Sequence, residues 1–399
     1  MKRVTTNHNS TAYLVSGFRI LVGLLFIISG LVKANDPLGL SYKMQEFFEV
    51  WNSALSTSHL FIAKPLIQFF EYLHEHSLLL SIVMIGLEIM AGIALLLGWQ
   101  KKWVLRLLVV LIVFFTFLTG YAFYSGKFKN CGCFGDCLPI SPLTSFIKDI
   151  VLLVLILLLW ALQKYIQPFA TKLFRNVTLI IFLLLTIGFQ WYVLTYLPVA
   201  DCLPFKKGNN ISQQMQLPPG ARPDSFAIRF IYKKEGKNYE FLPTTFPADL
   251  GSYTFVDRID KLITKGNAEP AIKGFSLMGT SDADSTQQVL ELPNALLLFH
   301  LKNPSSDTWK DDFSEIYQWA AEHHVPIFVS TSTKSKTAQI VAGTPFQDIP
   351  IFTSDVTVIR TASRTPLTLY FLNKGTVVNK WSNASFEKAL HYLKSKPVP

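Results

Sequence analysis

Charge is scarce in this sequence: 16% of its 399 residues are Asp, Glu, Lys or Arg, against about 25% in ordinary soluble domains. Half of the residues are hydrophobic. That balance excludes a chain that is soluble throughout and points to a membrane part joined to a soluble one. Cysteine is scarcer still. Four cysteines are too few for a disulfide-dense scaffold and enough for one redox or metal site. No Arg-rich tract or base-stacking module accompanies the formal charge of +10, so that charge reads as the Lys/Arg bias of cytoplasmic loops and not as a nucleic-acid footprint. Nucleotide loops, catalytic triads and zinc-protease signatures are also missing, which leaves hydrolase and kinase readings without support.

Long apolar runs are abundant. Tyr13 to Lys33 covers the roughly 20 residues that a bilayer core requires, with Arg19 near enough to one end to snorkel. Lys2 and Arg3 before it, and Val32-Lys33-Ala34 after it, also resemble a signal peptide. The run is longer than an ordinary signal core, so a retained helix is expected. Ser16, Gly23 and Gly30 recur every seventh residue, a small-residue face for a neighbouring helix. Further spans are expected at Ser77 to Trp99, Trp103 to Tyr124, Leu143 to Leu162 and Phe174 to Leu197, with Leu60 to Leu73 interfacial or re-entrant.

Acidic residues (Asp36, Glu46, Glu49, Glu71, Glu75) lie between the first two spans, while Lys101, Lys102, Lys164, Lys172 and Arg175 mark two basic connections. The positive-inside rule then puts the N-terminus in the cytoplasm. The expected location is the bacterial inner membrane, with everything after Leu197 in the periplasm. All four cysteines fall on the same exported side, where thiols can be oxidised.

The organising stretch is Asn130 to Asp149, which holds Cys131, Cys133 and Cys137 in a Cys-x-Cys-x-x-x-Cys run. These three are the candidate redox thiols, with Cys202 as a possible disulfide partner. A reactive thiolate would gain from Lys127 and Lys129 and from the following helix N-terminus. A static disulfide and a thiolate-held zinc are the alternatives, and no metal is expected in an oxidising compartment. Glu88 lies mid-span, where an ionised carboxylate is costly. It is a candidate proton site for a quinone-linked or transport step, or else a helix-to-helix hydrogen bond. Asp149 is a candidate modulator of thiol protonation, with helix capping as the plainer role.

After Pro198 the pattern is soluble. Ala227 to Phe241 reads as two strands turning at Glu235-Gly236. From Ala295 the expected order is strand 295–300, helix 308–323, strand 325–330, short helix 337–341, strands 367–372 and 376–381, and helix 385–393. That order implies an α/β layer with a mixed sheet. The expected division is a bundle over 1–165, a fifth helix and linker over 166–200, a hairpin-containing connection over 201–290, and the α/β domain over 291–399.

Two resemblances follow. The order from 295, with Thr365-Pro366 before the penultimate strand, resembles the thioredoxin fold, in which such a proline is cis; Pro366 is therefore expected to be cis. The family's dithiol would stand at Asn303-Pro304-Ser305-Ser306-Asp307-Thr308, where this chain has no sulfur, so the domain is expected to dock partners and not to catalyse exchange. FRILVGLLFIISGLVKANDPLG, Glu88 and Gly92, and CGCFGDC leading into IKDIVLL resemble the DoxX-like/MauE group of four-helix membrane proteins over residues 12–162. YLPVADCLPFKKGNNI and FVDRIDKLI resemble a multidomain branch with an exported domain. MauE proteins are associated with maturation of the disulfide-rich small subunit of methylamine dehydrogenase. The resemblance implies a membrane factor near disulfide chemistry, with the bilayer and an exported protein or redox partner as its contacts. A non-catalytic assembly scaffold with structural disulfides is the alternative.

Overall fold

The computed structural model describes residues 4–395 apart from 59–60, 129–131, 133–134, 136, 139, 223–224, 235–236, 243–245, 248–251, 265–268 and 280–282. Helix α1 (Val4–Ala34) leads into α2 (Pro37–Ser56) and α3 (Ala63–Glu75), followed by α4 (Ser77–Leu97), α5 (Lys101–Ser125), α6 (Pro142–Ala161) and α7 (Lys172–Tyr196). Among the described residues five helices are long and apolar enough to cross a membrane: α4 to α7 and the Thr11–Ala34 part of α1. The region between the first two spans is more ordered than its acidic composition implies. Asp36 caps α2 by accepting from Gly39 N, and Pro37, which has no N–H to lose, opens the helix.

Helices α1 and α4 approach through small residues. A methyl added at Gly92 would stand 2.8 Å from the Gly23 carbonyl oxygen, and one at Gly23 would strike Leu96. The seven-residue spacing of Gly23 and Gly30 thus marks a packed face. At one end of the bundle Arg19 closes α4: Nε donates to Leu95 O at 2.8 Å, Nη2 to Leu96 O, and Nη1 to Gln167 O at 2.7 Å. The carbonyls that end a helix have no partner within it, so the guanidinium fills that need and suits the negative end of the helix dipole. The two basic connections meet at this end, with Phe169 N donating to Leu97 O and Lys101 to Ile166 O.

Beyond α7 the chain forms α8 (Ile211–Gln214), strands β1 (Ser225–Lys234), β2 (Lys237–Phe241) and β3 (Thr254–Thr264), then α9 (Thr286–Glu291), β4 (Ala295–His300), α10 (Trp309–Glu322), β5 (Ile327–Thr331), α11 (Lys334–Val341), β6 (Ile351–Thr353), α12 (Val356–Ala362), β7 (Leu367–Asn373), β8 (Thr376–Ser382) and α13 (Phe386–Ser395). β1 to β3 make an antiparallel sheet of order β2-β1-β3, and β4 to β8 make a mixed sheet of order β6-β5-β4-β7-β8. In the mixed sheet β4, β5 and β6 run parallel, while β7 and β8 run antiparallel to their neighbours.

β4 is buried on both faces, as a central strand covered on two sides must be. Its alternation sends Leu296 and Leu298 to a core with Phe313, Ile316 and Phe386, and sends Leu297 and Phe299 to the opposite core with Phe205, Leu277 and Tyr370. The second core therefore draws on chain well before residue 291. β3, β6 and α12 were not read from the sequence as separate elements.

The Thr365–Pro366 peptide is trans, and no cis peptide occurs among the described residues; this corrects the expected cis proline. The trans chain runs directly into β7. Pro366 O accepts from Leu301 N and Lys302 N, and Thr365 Oγ1 donates to Leu367 O. The two bonds to Pro366 O extend the β4–β7 pairing, and trans is the ordinary preference of an X–Pro bond.

Candidate functional site

The end of the bundle opposite Arg19 carries the sulfur chemistry. Cys137, in the connection from α5 to α6, is bonded to Cys202, just after α7, across 65 residues of chain and with Cα atoms 4.8 Å apart. Cys131 and Cys133 lie outside the described residues. Gly132 and Gly135, inside the run, have φ of 71° and 57°, left-handed values that a side chain would resist.

Several polar contacts seat the disulfide where bundle and sheet domain meet. Asn35, at the end of α1, holds Ala200 reciprocally: Nδ2 donates to Ala200 O at 2.8 Å and Oδ1 accepts from Ala200 N at 2.9 Å. Asp36 not only caps α2 but also accepts from Arg364 Nε at 2.8 Å in a largely buried ion pair. Lys380 of β8 meets Asp201 at 2.7 Å. Burial lowers the Lys380 pKa, and the Asp201 carboxylate opposes that shift. Tyr42 of α2 lies under two guanidinium groups, those of Arg360 at 5.0 Å and Arg364 at 5.5 Å. Its phenol is pushed up by burial, against the pull of those cations.

Two hollows border the disulfide. A small one of about 10 Å³ touches Asn35, Asp36, Cys137, Asp201 and Cys202. A cleft of about 600 Å³ is walled by α2 (Tyr42, Lys43, Glu46, Glu49), the stretch Cys202 to Pro204, and the α12 region (Thr357, Arg360, Thr361, Arg364). Cys202 lines both, whereas Cys137 lines the small one and is not among the described residues that wall the cleft.

Deeper in the bundle, Glu88 of α4 is paired with Lys33 of α1, whose Nζ lies 2.7 and 2.9 Å from its two oxygens and also donates to Ser29 Oγ. The Lys33 ammonium sits 4.5 Å from the Phe115 ring centre. Asp149 of α6 shares a cavity of about 20 Å³ with this pair. Its Oδ2 accepts from Thr119 Oγ1 at 3.0 Å and its Oδ1 meets Lys148 Nζ at 2.7 Å. The plainer role expected for Asp149 is corrected here. Ser141 caps α6, accepting from Thr144 N, and Asp149 lies about two turns inside the helix, buried against α5.

The sulfur-free stretch Asn303 to Thr308 precedes α10. Asn303 Oδ1 accepts from His300 Nε2 at 3.1 Å, and His300 Nδ1 lies 2.7 Å from Thr337 Oγ1. Sequence reasoning missed Lys33 as the partner of Glu88, having treated it as the terminus of a span. It also missed Arg360, Arg364 and Tyr42. The tell-tale for Lys33 was a lone cation at the end of an apolar run, facing a chain that carries one carboxylate mid-span. Nothing local marks the arginines.

Five membrane-length helices, bonded at one end to a mixed-sheet domain, define a multi-pass membrane protein in contact with the lipid bilayer. Residues 11–162 are a MauE-family domain, matching the family described as Methylamine utilisation protein MauE. Residues 226–265, most of the three-stranded sheet, match Domain of unknown function (DUF8463). Protein TlpB of Flavobacterium psychrophilum is 31% identical over 160 residues, which is 38% of this chain and 38% of that protein, so the match spans well under half of the relative's length. No solved structure matches the chain.

Proposed function

We propose that this protein is a membrane-embedded thiol–disulfide exchange factor that assists the maturation of exported proteins, with Cys137 and Cys202 as its exchanging pair. The observation that carries the proposal is the position of that disulfide: it joins the bundle to the sheet domain and one of its cysteines, Cys202, borders an open cleft. A disulfide inside a packed core would be out of a partner's reach; exchange needs a thiolate to arrive at one sulfur. In this reading the N-terminus is cytoplasmic and the sheet domain periplasmic. The Lys/Arg distribution supports that orientation, as does the gathering of both basic connections at the end opposite the disulfide.

The mixed-sheet domain acts in this reading as a thioredoxin-like docking module. The strand order β6-β5-β4-β7-β8 supports the likeness, and the His300–Asn303 hydrogen bond occupies the place where a dithiol would stand. Cys131 and Cys133 are candidate relay thiols, Glu88 is a candidate intramembrane proton site and Asp149 a candidate modulator of thiol protonation.

A second reading has its own support: Asp36–Arg364, Asp201–Lys380 and Asn35–Ala200 gather at the same junction, as a permanent tether would need. One experiment separates the two. The redox state of Cys137 and Cys202 is read in cells by thiol alkylation before and after a pulse of reductant, with Cys137→Ala and Cys202→Ala variants run for trapped adducts. The exchange reading expects a mixture of oxidised and reduced chains and a reducible adduct with an exported protein. A pair that stays fully oxidised, with no adduct in either variant, leaves the tether.

A further inference from the structure

The two cysteines of the disulfide have different surroundings, and the difference bears on both the point of attack and the kind of thiol that attacks. Both cysteines are half-buried, but among the described residues Cys202 lines the cleft of about 600 Å³ and Cys137 is not part of that wall; Cys137 borders the hollow of about 10 Å³, too small to admit a thiol-bearing side chain.

The charges on the cleft are mostly spoken for. Lys43 is paired with Glu46 at 2.7 Å and Arg364 with Asp36 at 2.8 Å. Arg360 is the exception, with no carboxylate partner among the described residues; it is held on the face of Tyr42. Glu49 also borders the cleft, where its carboxylate faces His74 at 3.1 Å. At the helical rise of about 1.5 Å per residue, Glu49 lies roughly 20 Å along α2 from Asp36, while Tyr42 lies about 9 Å from it. Asp36 touches the same small hollow as both cysteines. The disulfide end of the cleft is therefore its cationic end.

We infer that partner thiols enter through this cleft and attack Cys202, and that Arg360 selects thiols with an anionic neighbour, such as a cysteine beside an acidic residue. This deepens the exchange reading and rests on it. The incoming thiol loses its proton to solvent, and its thiolate forms a bond to Cys202 Sγ. The Cys137–Cys202 bond breaks and its electron pair leaves on Cys137 as a thiolate. A second thiolate of the partner then attacks the partner's own sulfur in the mixed disulfide and releases Cys202. The partner dithiol is oxidised by two electrons and the Cys137–Cys202 pair is reduced by two, so a single turnover needs no further oxidant.

The test uses the full chain in lipid nanodiscs and three small thiols: mercaptoethanesulfonate, 2-mercaptoethanol and cysteamine, which are anionic, neutral and cationic. Rates of disulfide reduction are normalised to those of the same thiols on hydroxyethyl disulfide, and the first adduct is located by acid quenching, alkylation and peptide mass spectrometry. The expected adduct is on Cys202. The normalised preference for the anionic over the cationic thiol should fall about threefold in Arg360→Gln, the scale of one charge several ångströms away in a water-like medium, and return in Arg360→Lys. An adduct on Cys137, or a preference unchanged in Arg360→Gln, overturns the inference and leaves exchange standing. Folded chains that resist all three thiols overturn the exchange reading along with it. The adduct position is read in the unsubstituted chain, so it does not depend on any variant folding.

Discussion

Lys33 Nζ lies 2.7 Å from one oxygen of Glu88 and 2.9 Å from the other, and the two side chains are only 2% and 4% exposed. Each charge is tolerable there because of the other. Removing one partner leaves an uncompensated charge in the bundle, whereas removing both leaves only a packing problem. Lys33→Met should therefore destabilise the protein by about 3–5 kcal/mol, and Lys33→Met combined with Glu88→Leu should recover most of that loss. Thermal unfolding of the three proteins in one detergent checks this. A double variant no more stable than the single one would show that the pair is not coupled as its geometry demands.

The α1–α4 contact makes a sharper demand on size than on charge. A methyl at Gly92 meets the backbone oxygen of Gly23 at 2.8 Å, and backbone cannot step aside as a side chain can. Gly17, on the same helix as Gly23, has no atom within 4 Å of its would-be methyl. Gly92→Ala should cost about 1–3 kcal/mol, while Gly17→Ala should stay within about 0.5 kcal/mol of the parent. Equal effects at both positions would mean that the helices are not packed through Gly92.

Much of this architecture was legible because bilayer length and apolar periodicity are local signals. The five spans need only composition over roughly 20 residues, and β4, read as 295–300, was found at those bounds because its flanking turn residues and apolar run are contiguous. α2 was hidden: its 20 residues mix Lys43, Glu46 and Glu49 with Leu38, Met44 and Phe47, and a buried face of that kind shows only when the neighbouring α4 is in place. The site fared similarly. Cys202 could be named as a possible partner for the cysteine run, but a choice among pairings is a long-range fact. Arg360 and Arg364 approach Tyr42 across more than 300 residues of chain, and no spacing rule reaches that far. The trans Pro366 is a further instance, since its geometry follows from the β4–β7 pairing that it leads into.

Cys137→Ala and Cys202→Ala remove the same bond, so their effects on stability should match. By the loop-constraint estimate each should lower stability by roughly 2–4 kcal/mol, and the double variant should be no worse than either single one. Hydrogen exchange should localise the loss to the junction, as faster exchange at Ala200 and Leu203 and in the first turn of α2. Single variants differing by more than about 1 kcal/mol would show that one cysteine has a structural role outside the disulfide.

His300 gives the sheet domain a pH dependence whose sign follows from its surroundings. Burial at the end of β4 lowers its pKa below the usual 6.5, and the hydrogen bond to Asn303 offsets part of that shift. A base with a lowered folded pKa takes its proton first in the unfolded chain. As pH falls through 6.5 toward the folded value, the unfolded state is favoured progressively and stability is lost; well above 6.5 the ring is neutral in both states and contributes no slope. Hydrogen-exchange protection of β4 and β7, measured on the full chain, should therefore decline as the medium is acidified below pH 6.5. His300→Gln keeps a hydrogen-bonding side chain beside Asn303 and Thr337 but has no proton to gain, so it should flatten this part of the profile. Parallel profiles in parent and variant would mean that another group governs the acid response.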